Sequence, residues 1–250
     1  MRVRALLIAG FVGPLGFIVV FLIEGATRPG YSAWRNFVSQ LATGDGGWVQ
    51  IANFLVCGTL ILAFAVGLWR ALRPRSVAGT VLIGLFAVSL IVAGIFVTDP
   101  ALGYPPGSNG SDPPTVHGGI HGVAGLVAFT ALAAAAFVMA RRFAGDPAWR
   151  GWAVYSFLVG AFIFGLFVAS TAVSVLDERG VWPGAPVGVF QRISIVTGWT
   201  WLAALAFRLL TRTADGHDRS PRVYVPTTTP PSTESTTPLM NEASSDARKR

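Results

Sequence analysis

Six apolar runs, each about as long as a lipid bilayer is thick, constrain this chain more than any other feature. A helix rises about 1.5 Å per residue, so about 20 mainly apolar residues cross the hydrocarbon core. The runs fall at about 5–23, 49–69, 77–97, 120–140, 152–175 and 187–210. In lipid, every backbone N–H and C=O must find its partner within the segment, and a helix does this. The expected fold is all-α: a polytopic membrane protein, a bundle of six transmembrane helices, over residues 1–212. The first run follows Arg2 and Arg4, as a signal peptide's would. A cut after Ala26 would put Glu24 where a small residue is required, so the run is read as a retained helix.

Composition agrees. Only 12% of the residues are charged, against about 25% in soluble domains. The formal charge is +7, but the arginines sit at the ends of apolar runs and form no stripe. No nucleic-acid partner is expected. The single cysteine, Cys57, lies within an apolar run and reads as a small hydrophobe. No P-loop, dinucleotide fingerprint, HExxH or CxxC pattern is present.

Arginine placement gives an orientation. One side carries Arg2, Arg4, Arg70, Arg73, Arg75, Arg141, Arg142, Arg150, Arg208 and Arg212. The other carries Arg28, Arg35, Arg179 and Arg192. Ten against four puts both termini in the cytoplasm, and an even number of spans agrees. Residues 213–250 contain PTTTPPSTESTTP. A Pro/Thr/Ser-rich segment cannot bury enough apolar surface to fold alone, so it is expected to be a disordered cytoplasmic tail. Phosphorylation of such a tail would switch contacts with a cytoplasmic partner.

The polar residues gather on the expected external side. The stretch TDPALGYPPGSNGSDPPTVHGGIHGVAG, 98–125, contains His117 and His121. On a helix, residues four apart share a face. Two imidazoles so placed can hold zinc, with Asp99 or Asp112 as a further ligand; alternatively, both are interfacial groups bonded to loop carbonyls. Pro113, Pro114, Gly118 and Gly119 leave the start of that helix open. Asp99 either serves a site or ends the third helix before Pro100.

The first external loop is rich in Ser, Gln, Asn and Trp. Ser39 is a candidate nucleophile, or a turn residue. Gln50 and Asn53 put two amides on one helix face, to bind a ligand or to join helices. Arg192, beside Gln191 at the start of the sixth run, needs a partner, for which Asp99, Asp177 and Glu178 are candidates, or must snorkel to the interface, and it is a candidate substrate-binding residue. Ser170, Thr171 and Ser174 face an outer cavity or bond their own helix.

Six spans, the segment SQLATGDGGWVQIANF and the Asp99-to-HGGIH loop together resemble the bacterial and archaeal membrane-protein family called domain of unknown function 998, over about residues 5–210. The resemblance implies a six-helix integral membrane protein and no activity. In chemistry, Ser39, Asp99, His117 and His121 are similar to the Ser, Asp and HxxxH set of membrane-embedded zinc-dependent lipid amidases that include the alkaline ceramidases. That similarity implies zinc on the Asp and His residues, with Ser39 beside the metal-bound water. There the HxxxH lies on the last helix; here it opens the fourth.

Two functions follow as expectations. The first is a lipid- or headgroup-binding, sensory or assembly protein with a polar external cavity and membrane lipids as partners. The alternative is a zinc-dependent hydrolase of a lipid or envelope ester or amide, with Arg192 or Ser39 steadying the oxyanion. A transporter fits less well, because the spans hold almost no ionisable residues at mid-depth.

Overall fold

The computed structural model describes residues 3–72, 75–108 and 113–218, with 213–218 as backbone only. Its elements are helices: α1 (Val3–Thr27), α2 (Trp48–Ala71), α3 (Val77–Ile95), α4 (Val116–Ala144), α5 (Arg150–Glu178) and α6 (Val187–Asp218). All six are long and apolar enough to cross a membrane. Short 3-10 turns at Val38–Ala42 and Pro147–Trp149 interrupt the links. The expected disordered tail lies, beyond Asp218, outside the described residues, as do Arg2, Arg73 and Asp112.

Each helix packs against the next in the chain, and α6 returns to pack against α1. The six helices therefore form a closed ring in sequence order. Aromatic side chains fill its middle. Trp199 of α6 meets Phe17 of α1 at 5.3 Å and Phe86 of α3 edge-on at 4.8 Å, between ring centroids. Small residues let neighbouring backbones approach. A Cβ at Gly160 of α5 would stand 3.1 Å from the Ala133 carbonyl oxygen of α4. Trp201 donates its indole N–H to Ser156 Oγ at 3.0 Å, tying α6 to α5 inside the bundle.

The two ends differ. At one end the links are short, and Arg208 and Arg212 lie over the ring of Trp149, 4.7 and 4.4 Å from its centroid. Trp149 in turn stacks on Phe143 at 4.4 Å. At the other end, here the loop end, three long connections meet: 28–47, 96–115 and 179–186. These are the segments that position the site.

Candidate functional site

The loop end is stitched by side chains given to backbone carbonyls. Arg192, on the first turns of α6, donates to Ala33 O (2.6 Å), Asn36 O (2.9 Å) and Gly188 O (3.0 Å), and to the Tyr31 hydroxyl. Its guanidinium also lies 5.3 Å from the Tyr31 ring centroid. Tyr31 passes the strap on by donating to Phe37 O at 3.0 Å. Burial pushes the Tyr31 phenol up to about 12, against the pull of Arg192, so it stays protonated and able to donate. Gly188 permits the close approach: a Cβ there would overlap the carbonyl oxygens of Asn36 and Ala33.

Other polar residues of the first loop turn inward. Asn36 is buried; its amide donates to Leu102 O at 3.1 Å and accepts from Ser32 N at 2.8 Å. Gln40 is buried as well, donates to Ala101 O and accepts from Phe37 N at 2.9 Å. These two amides bind the first loop to the second, which is why the loop is so rich in Ser, Gln and Asn. Arg35 makes a two-pronged pair with Asp177 at the end of α5. Arg28 pairs with Glu24 at 2.8 Å and donates to Gly46 O at 2.9 Å.

The three expected metal ligands lie near the start of α4, each with contacts of its own. Helix α4 starts at Val116, so His117 and His121 both lie on it. They face the end of α3 together and straddle Phe96. His117 is exposed and meets the Phe96 ring edge-on at 5.3 Å. His121 is 8% exposed, and its Nδ1 lies 3.0 Å from Ala93 O and 2.9 Å from Phe96 O. Asp99 caps α4: its carboxylate accepts from Thr115 N (2.8 Å) and Thr115 Oγ1 (2.6 Å). The Thr115 hydroxyl accepts in turn from Gly118 N at 3.0 Å. A negative group at a helix N-terminus satisfies free N–H groups and complements the dipole. A Cβ at Gly118 would overlap the Asp99 carboxylate; this explains one glycine of HGG. Among the described residues, no three His, Cys, Asp or Glu side chains are grouped to hold a metal ion.

Gln50 and Asn53 pair with each other at 3.2 Å, and Asn53 donates to Phe17 O of α1 at 3.2 Å. Asn53 thereby joins α2 to α1, while Gln50 Nε2 is buried with no hydrogen-bond partner among the described residues. The partners Arg192 meets are carbonyls and Tyr31, through its two Nη atoms.

The open site lies between α4 and α5. A groove of about 830 Å³ runs along their loop-end halves, within the usual range for ligand pockets. Leu126, Val168, Val175 and Leu176 form its outer edges and are exposed. Phe129 and Phe167, the lining residues furthest from the loop end on each helix, stack at 4.8 Å and close it. Its polar lining residues are Ser39, Thr98, His121 and Gln191 at its head, beside Phe37, and Ser170 and Thr171, which lie on α5 between Phe167 and the apolar pair Val175 and Leu176. Among the described residues, no Asp, Glu, Lys or Arg lines it. A small enclosed cavity of about 60 Å³ adjoins, shares Ser39, His121 and Gln191 with the groove, and reaches Trp199. Ser170 donates to Val187 O at 3.2 Å and Thr171 to Phe167 O at 3.0 Å. Ser39, by contrast, makes no side-chain hydrogen bond among the described residues.

Ser39 and His121 were thus legible as chemistry in the sequence; Asn36, Gln40 and Tyr31 were not. Their only signal was a loop too polar for a connector. The groove walls gave none, because Leu126, Phe129, Phe167 and Val168 read simply as span.

The family model described as "Protein of unknown function (DUF998)" matches residues 11–208. No curated protein and no solved structure matches the chain.

Proposed function

The chain belongs to the DUF998 family, and from that premise we propose that it is a lipid-binding membrane protein which holds its ligand in the α4–α5 groove. The single observation that carries this reading is an open groove between two spans, apolar along its exposed flank of Leu126, Val168, Val175 and Leu176 and at its closed end, with the polar cluster of Ser39, His121 and Gln191 at its head. An acyl chain entering sideways from the bilayer would lie along the apolar flank, with the headgroup against the polar cluster. Burying each methylene of such a chain is worth about 0.8 kcal/mol.

The arginine bias places the loop end outside and both termini in the cytoplasm. The ligand then comes from the outer leaflet. The braced loops make the loop end a rigid cap over the groove, and the Pro/Thr/Ser-rich tail is the part that meets cytoplasmic proteins. A protein so built serves as a lipid sensor or assembly subunit.

The test is photolabelling in nanodiscs with a lipid bearing a diazirine in its acyl chain. Labels should map to the peptides around 121–129 and 167–176. Gly125 lines the groove, and a Cβ there meets nothing within 4 Å. Gly125→Leu should therefore fold and fill the groove, lowering labelling of these peptides at least fivefold. Undiminished labelling in that variant would refute the site.

A further inference from the structure

Where groove and cavity meet, three polar groups have no hydrogen-bond partner among the described residues, and the cavity is also lined by Trp199, whose buried Nε1–H has none. His121 Nδ1 faces two carbonyl oxygens, and a carbonyl can only accept. Nδ1 therefore carries the proton. A neutral imidazole has one donor and one acceptor, so Nε2 holds a lone pair, and no protein donor meets it. Gln191 is fixed the other way round. Its Oε1 accepts from Val38 N at 2.7 Å, which leaves its NH2 as a donor. Ser39 adds a free hydroxyl. All three residues line both the groove and the enclosed cavity.

We infer that the ligand is an uncharged amphiphile ending in a free hydroxyl, a long-chain alcohol or diacylglycerol-like lipid, held by His121, Gln191 and Ser39. This rests on the groove reading above. A hydroxyl donates one hydrogen bond and accepts others, so it can give its proton to His121 Nε2 and accept from Gln191 and Ser39. A phosphate has no match. Among the described residues no Lys or Arg lines the groove; Arg28, Arg35 and Arg192 are engaged elsewhere at the loop end, and Arg179, exposed just past α5, is not one of the lining residues. Burying an anion without a partner is strongly disfavoured.

The experiment compares three diazirine probes with identical acyl chains: diacylglycerol, its 3-O-methyl ether and phosphatidylcholine. Diacylglycerol should label the groove peptides about five- to tenfold more than either, the size of one well-placed hydrogen bond. In His121→Asn the amide N–H replaces Nδ1–H toward the carbonyls and the Nε2 acceptor is gone, so the preference over the ether should fall to about one. Ser39→Ala, which disturbs no bond in the protein, should weaken labelling by diacylglycerol. Equal labelling by alcohol and ether, or stronger labelling by phosphatidylcholine, would overturn the hydroxyl assignment and leave the groove standing. Absence of groove labelling by all three would refute the groove itself. The wild-type comparison decides the matter even if His121→Asn fails to fold.

Discussion

Arg35 and Asp177 lie 142 residues apart in the chain and meet in a two-pronged ion pair, Nε to Oδ2 at 2.9 Å and Nη2 to Oδ1 at 2.6 Å. The two ends are unequal. The Asp177 side chain is 1% exposed and the Arg35 side chain 38%. The pair joins the first loop, 28–47, to the end of α5, beside one wall of the groove. Arg35→Ala would leave a carboxylate buried with only backbone support. We expect a loss of about 2 kcal/mol, read as a lower unfolding midpoint in detergent. Arg35→Lys should recover only part of it, because an ammonium cannot make the paired contact. No loss in Arg35→Ala would show that the pair does not brace the bundle.

Asp99 acts on α4 through Thr115. Asp99→Ala removes the acceptor for two donors at the helix start. The cost should be about 0.5–2 kcal/mol, with faster amide exchange confined to the first turn of α4. Gly118→Ala should reproduce that exchange pattern by pushing the carboxylate away. Slow exchange in both variants would count against the cap.

The Tyr31 phenol, held near 12 by burial, ionises at about 10 when the chain unfolds. The folded state therefore favours the protonated form. That contribution is complete below pH 10 and is lost as the pH rises through 12. The wild type should lose stability between pH 10 and 12 more steeply than Tyr31→Phe does. Parallel profiles for the two proteins would place the alkaline sensitivity elsewhere.

Arg192 holds the first loop through two of its carbonyls, Ala33 O and Asn36 O, and through the Tyr31 hydroxyl. Arg192→Gln should cost about 2–4 kcal/mol, since hydrogen bonds from a charged donor are worth about 1.5–3 kcal/mol each and neighbouring bonds do not add fully. Hydrogen exchange should rise across 31–37 while the middle of α2 stays protected. If exchange rises evenly through the protein, the residue is holding up the whole bundle and not one loop.

Much of the fold was legible because one physical demand governs it. A span must be long and apolar, and a reader can see both in the sequence; the six runs and the six helices coincide to within a few residues at most ends. The largest departure is at the end of α6, which runs to Asp218 past the expected 210; the start of α4 is another. That helix starts at Val116, ahead of the expected 120, because Asp99 and Thr115 pay for a first turn that Gly118 and Gly119 alone would not favour.

The polar residues were legible as types and not as roles. His117 and His121 share a face, as the spacing of four requires, but that face docks on Phe96 of α3. Arg192 needed a partner, and candidates among the acids could be named from sequence; the carbonyls of Ala33 and Asn36 could not, since they come into reach only when the first loop folds over α6. The sequence by itself determined that this chain is a six-helix membrane protein, because hydrophobic length is a local property. Only the tertiary structure decided that α4 and α5 part at the loop end into a groove with Ser39, His121 and Gln191 at its head. Those residues come from three separate segments, and their meeting depends on how the ring of helices closes.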